Sequence, residues 1–177
     1  MSATILSRRQ FSGALAFGAA TAAPIFARPD DERDYPAPKF QPKYTKPFLG
    51  TTLVRDFVIF AHSDLEMVQR LLDKEPALLN ATVDWGAGDF ESALGGASHM
   101  GRRDIAEYLI DKGARIDLFA AAMLGHLDVV KGLLAAHPNL AQAKGPHGIP
   151  LLAHAKIGGE KAREVLAHLE SLATGPG

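Results

Sequence analysis

The amino-acid sequence predicts an all-α fold, a solenoid of about four helix-turn-helix repeats. Three observations carry that prediction. The run Ala120-Ala121-Ala122-Met123-Leu124-Gly125-His126-Leu127-Asp128-Val129-Val130-Lys131-Gly132-Leu133-Leu134 reads as two short helices meeting at Gly125. Weaker copies of that run lie on both sides, with turns at Ser63, Gly101 and Gly158. Each copy has small residues before its turn and an i, i+3, i+4 apolar stripe after it, the spacing of one buried helix face. Stacked helix pairs of this kind present an extended surface for gripping, and seldom a centre for chemistry.

The segments before the repeats have a different composition. Residues 1–27 contain no Asp or Glu and carry only two charged side chains, the adjacent Arg8 and Arg9. An apolar run from Phe11 to Ala20 follows, then small residues and Pro24. This is the order of an export signal: basic region, apolar region, small-residue cleavage zone. Ser7-Arg8-Arg9-Gln10-Phe11 resembles the bacterial twin-arginine signal, with Ser12-Gly13 in place of the apolar residue and Lys that often follow. The stretch is too short and too rich in Ala and Gly for a membrane-spanning helix. Cleavage after Ala22 and cleavage after Ala27 both fit, and an uncleaved signal would leave a surface-attached adaptor. The resemblance implies export of a folded protein to the periplasm, with no stable membrane insertion after cleavage. Loss of Arg8 and Arg9 takes the net charge from −1 to −3.

Residues 28–50 hold Pro29, Pro36, Pro38, Pro42 and Pro47 among charged and polar residues. Proline at this density excludes helix and favours extended polyproline segments. A tether fits, as does an arm lying along the body, for which Tyr35, Phe40, Tyr44 and Phe48 would supply contacts. Residues 171–177 are expected to be a disordered tail.

The repeats occupy residues 51–170. Phe57–Leu72 opens the series, Ser92–Ile110 follows, the Gly125 unit is third, and Ile149–Leu169 is fourth. The turn positions are separated by 38, 24 and 33 residues. Ala121-Ala122-Met123-Leu124-Gly125-His126, Val129-Val130-Lys131-Gly132-Leu133-Leu134 and Asp111-Lys112-Gly113-Ala114 resemble the ankyrin repeat, whose pattern recurs over about 33 residues. Gly113 suits the left-handed cap that ends a helix. The Thr-Pro-Leu-His tetrad of that pattern becomes Ser92-Ala93-Leu94-Gly95 and Ile149-Pro150-Leu151-Leu152, so its bracing His is absent there.

The resemblance implies finger loops and a concave face lined by the residue pairs just before each helix turn. Carried over by position, these are Ala61-His62, His99-Met100, Met123-Leu124 and Lys156-Ile157. Residues 81–91 are long enough for an enlarged finger, which carries Trp85, Asp89 and Phe90, and 142–148 make another, which carries His147. Between Gly113 and Phe119 there is no room for a finger. A notch is therefore expected at the third repeat, floored by Met123 and walled by Trp85 and His147. The candidate binding residues are His62, Trp85, Asp89, Phe90, His99, Met100, Met123, Leu124, His147 and Lys156, with another protein as the expected partner. The rival reading is an enzyme or small-ligand protein using the notch, with Asp84, Asp89, His99 and His147 converging there.

Composition and motifs narrow the remaining chemistry. The charge balance of 19 basic and 20 acidic residues gives no footprint for nucleic acid. The absence of cysteine removes disulfides, thiolate metal sites and cysteine nucleophiles. Gly86-Ala87-Gly88 is not a nucleotide loop, because Glu91 stands where the third glycine should be. The seven histidines match no i, i+4 ligand spacing, so no metal ligand, catalytic residue or cofactor is assigned. His154, at a position normally held by Ala, is expected to be buried and hydrogen-bonded, and the protein is expected to be monomeric.

Overall fold

A computed structural model describes residues 46–173 throughout, together with Tyr35, Pro36, Lys39, Phe40 and Lys43. The signal expected over residues 1–27 lies outside the described residues, as does most of the proline-rich segment. The chain divides between Thr45 and Lys46, and the described helices lie in the second unit.

Among the described residues, eight α-helices form four hairpins: α1 (Thr51–Phe60) with α2 (Leu65–Lys74), α3 (Ala93–His99) with α4 (Arg103–Asp111), α5 (Leu118–Leu124) with α6 (Leu127–Ala136), and α7 (Leu151–Ile157) with α8 (Arg163–Ala173). The first helices stack in sequence order, α1 on α3, α3 on α5 and α5 on α7, while α2 meets α4 and α6 meets α8 on the other side. Helix α8 runs on through residues 171–173, into the segment expected as a tail, because Leu169 anchors its last turns in the core. Among the described residues, no helix is long and apolar enough to cross a membrane.

Side-chain chemistry sets the helix ends. Asp64, Ser92 and Asp117 cap α2, α3 and α5, accepting bonds from the amides of Met67, Gly95 and Ala120. Such caps satisfy otherwise orphaned donors and are worth about 1 kcal/mol each. Helix α5 stops at Gly125, whose φ of 78° is left-handed and whose missing Cβ leaves room for the Lys161 carbonyl.

Helices α3 and α5 are short and almost wholly buried, whereas the outer helices are buried along one stripe, as with Ile105, Ala106 and Leu109 on α4. Two apolar clusters result, and α5 serves both. Ala120, Met123 and Leu124 face the first, with Phe57, Leu94 and Ile105, whereas Leu118, Ala121 and Ala122 face the second, with Val130, Leu151 and Val165. The most regular run in the sequence is thus the seam of the molecule.

Two long connections project as fingers. The first is an antiparallel hairpin of β1 (Thr82–Asp84) and β2 (Phe90–Ser92), with Thr82 opposite Ser92, Val83 opposite Glu91 and Asp84 opposite Phe90. Its tip turns through positive φ at Gly86, Ala87 and Gly88. The second is closed by a bridge between Lys144 and Pro150 and carries a 3-10 turn over Pro146–Gly148. Between α4 and α5 the chain passes directly, without a finger.

Candidate functional site

The site grows from four places that the fold brings together. His62 follows α1, and its Nδ1 bonds the Val58 carbonyl at 2.9 Å. Its ring lies against Gly96, where a Cβ would stand 2.7 Å from the His62 Cε1. A glycine inside a helix costs about 1 kcal/mol relative to alanine. Here it makes the space that His62 occupies.

Glu91 is the middle residue of β2. Side chains alternate across a strand, so Phe90 points out, at 62% exposure, and Glu91 points in, at 1%. Gly95 leaves ordinary contact room beside the Glu91 Cγ and Pro146. His99 closes α3 and reaches the same point. His147 arrives from the second finger in the left-handed region (φ 59°), rare for a residue with a side chain. Asp89 holds it there twice, accepting from the His147 amide at 2.8 Å and lying 2.8 Å from its Nδ1. That double contact ties one finger to the other.

The Nε2 atoms of the three histidines converge on the glutamate. Nε2 of His99 is 2.9 Å from Oε1 of Glu91 and 3.1 Å from Nε2 of His62. Nε2 of His147 is 3.4 Å from Oε1, and Nε2 of His62 is 3.5 Å from Oε2. The indole N–H of Trp85 donates to Oε2 at 2.8 Å. One ligand atom from each of His62, Glu91, His99 and His147 falls within a sphere of contacts no wider than 4.8 Å, a spacing that suits one enclosed cation.

The local field favours an ionised carboxylate. Burial pushes the Glu91 carboxyl up, but the contact with His99, the Trp85 N–H and the nearby imidazoles outweigh it and leave it below its usual range. The bond from the His147 amide is the largest influence holding Asp89 low. Burial lowers the His147 imidazole, yet Asp89 and Glu91 together hold it above its ordinary value. This is a fixed negative focus ringed by imidazoles.

Of the residues singled out in the sequence, His62, Trp85, Asp89, His99 and His147 meet here. Met123 and Leu124 do not: both are buried, because α5 lies between α3 and α7, so Met123 floors no notch. Met100 and Lys156 are exposed. Asp84 bonds the Gly86 amide in the finger tip. Phe90 lies on the outer side of the finger and, with Asp89, Lys144, Pro146, Asp117 and Phe119, lines a cleft of about 370 Å³ between the fingers. Phe119 lines this cleft, and Met123, expected as a floor, does not.

Glu91 is the residue the sequence reading passed over. Its signal was there: strand alternation from Asp89 to Ser92 turns Glu91 inward, and Gly95-Gly96 empties the helix face opposite. No protein-family model matches the chain, and no curated protein matches it in sequence.

Proposed function

We propose that this chain is an exported ankyrin-type repeat protein, and a binding module with no catalytic role, which takes a compact polar ligand at the histidine–glutamate cluster between its fingers. One observation carries the reading: three imidazoles and a buried carboxylate from four separate segments meet at one point. Compact ligands are held by a few convergent polar groups on a rigid frame, whereas a protein-binding groove would expose a continuous apolar floor. Met123 and Leu124, which would have supplied that floor, are buried.

Stacked hairpins with projecting fingers support the ankyrin-type assignment, and the runs Ala121–His126 and Val129–Leu134 support it independently. The Ser7-Arg8-Arg9-Gln10-Phe11 signature supports export to the periplasm. Native mass spectrometry of protein recovered from periplasmic extract tests the ligand reading. Wild type should carry a small adduct that the Glu91→Gln variant lacks. An adduct-free wild type, or an adduct indifferent to Glu91→Gln, would refute it.

A second reading, docking of another protein, is favoured by Met100 and Ile157. Both are about half exposed, at 49% and 48%, and the Ile157 side chain reaches Gly101, next to Met100. Capture of a periplasmic protein by wild type that Met100→Asp/Ile157→Asp abolishes would support it. Equal capture by both would end it.

A further inference from the structure

The geometry points to a divalent transition-metal ion as that ligand, bound singly by Nε2 of His62, His99 and His147 and by Oε1 of Glu91. The inference rests on the ligand-binding reading and goes further by naming the ligand class. Three features of the cluster carry it.

The first is spacing. A four-coordinate ion with bonds of about 2.0–2.2 Å holds its ligand atoms roughly 3.3–3.5 Å apart. Among these atoms the closest approaches are 2.9, 3.1 and 3.4 Å, and all four lie within 4.8 Å of one another. Binding one ion requires the closest pair to open and the widest pair, at up to 4.8 Å, to draw in toward that spacing.

The second is an unfinished bond. Glu91 is 1% exposed, yet its Oε1 has no hydrogen-bond donor directed at it, although two imidazole nitrogens lie within 3.4 Å. A buried carboxylate oxygen whose neighbours are not aligned to donate to it is costly. His62 adds to the pattern, because its Nδ1–H is spent on the Val58 carbonyl, leaving a lone pair on Nε2 that faces inward. A cation at the shared focus would bind that oxygen and take up the His62 Nε2 lone pair, which otherwise faces Nε2 of His99 at 3.1 Å.

The third is the outer shell. Metal ligands are oriented by hydrogen bonds to their far atoms. Here the Val58 carbonyl holds Nδ1 of His62, Asp89 holds Nδ1 of His147, and the Trp85 N–H holds Oε2 of Glu91. Three of the four ligands are thus aimed by a second residue. Trp85 and Asp89 are positioning residues in this arrangement.

The donor set selects the ion. Three imidazoles and one carboxylate suit zinc, cobalt, nickel or copper, whereas magnesium and calcium require shells of oxygen. The competing account is a cluster held together by hydrogen bonds alone, with no ion among the imidazoles and Glu91.

Calorimetric titration of the chelator-treated full chain with Zn²⁺, Co²⁺ and Mg²⁺ separates the accounts, with the fluorescence of Trp85, the sole tryptophan, as a second readout. Zn²⁺ and Co²⁺ should bind one per chain, Co²⁺ should quench Trp85, and Mg²⁺ should do neither. Glu91→Gln should weaken Zn²⁺ binding at least 100-fold, and Trp85→Phe, which loses only an outer-shell bond, about 10-fold. His147→Ala, on an exposed turn, provides a ligand deletion that leaves the core alone. Absence of stoichiometric binding, or binding unaffected by both Glu91→Gln and His147→Ala, overturns the inference. If the native protein carries a Glu91-dependent adduct that is not a metal, this inference fails and the ligand-binding reading stands. If it carries none and binds no metal, both fail.

Discussion

Gly96→Ala separates the binding role of the cluster from its role in the fold. A Cβ at position 96 would stand 2.7 Å from Cε1 and 2.9 Å from Nδ1 of His62, and ordinary contact begins at 3.4 Å. The ring must therefore retreat by at least 0.7 Å. Metal–ligand distances tolerate only about ±0.2 Å, so His62 is lost as a ligand. Stability responds differently. Alanine in place of glycine within a helix gains about 1 kcal/mol. Loss of the His62–Val58 bond costs a similar amount, about 0.5–1.5 kcal/mol. The two nearly cancel, and the ring can swing toward solvent because it is partly exposed. Thermal unfolding and Zn²⁺ titration on the same preparation read the two effects apart. The expected result is an almost unchanged melting temperature with binding weakened at least about 10-fold, or 1.4 kcal/mol. Unchanged affinity in a folded Gly96→Ala protein would refute the reasoning, because His62 would then have no part in the site.

Other perturbations should separate in the same way. Met123→Ala should lower stability by about 2–5 kcal/mol in denaturant unfolding and leave ligand affinity in the folded protein unchanged, since Met123 is wholly buried in the first apolar cluster. Asp89→Asn removes the carboxylate that orients His147, so hydrogen exchange should quicken over residues 144–150 and Zn²⁺ affinity should fall about 10-fold or more. Burial, the largest influence, holds the His154 imidazole below its ordinary value of 6.5, against the bond it makes to the Pro150 carbonyl. Its folded value is depressed, so its stabilising contribution is present above 6.5 and is lost as pH falls through the folded value. His154→Gln should therefore flatten the acid side of the metal-free stability profile below pH 6.5, as read by urea unfolding at several pH values. Arg8→Lys/Arg9→Lys should retain the protein in the cytoplasmic fraction, and unimpaired export of that variant would remove the twin-arginine assignment.

The helical hairpins were legible because their causes are local. Asp64, Ser92 and Asp117 stand at the helix starts, Gly125 ends α5, and the apolar stripes recur at helical spacing. Finger positions followed from the repeat resemblance together with loop lengths. The cluster was half legible. His62 and His99 could be placed together by their shared position before a turn, and Trp85, Asp89 and His147 by their fingers. Their convergence depends on long-range packing that no local pattern encodes: the Asp89–His147 clasp joins residues 58 apart, and the His62 seat depends on Gly96 in another helix. Spacing rules for metal ligands fail for the same reason, since each ligand comes from a different segment. Met123 and Leu124 were misplaced because a helix between two neighbours buries residues that a terminal helix would expose. Glu91 was hidden by its charge, which reads as a solvated finger residue until the strand's alternation is followed.

X-ray absorption at the metal edge of the zinc-loaded full chain tests the central claim most directly. The account predicts a shell of about four nitrogen and oxygen atoms at roughly 2.0–2.2 Å, with outer-shell scattering from three imidazoles, all of it lost in Glu91→Gln/His147→Ala. A shell of oxygen atoms alone, or an unaltered spectrum in that variant, would contradict it.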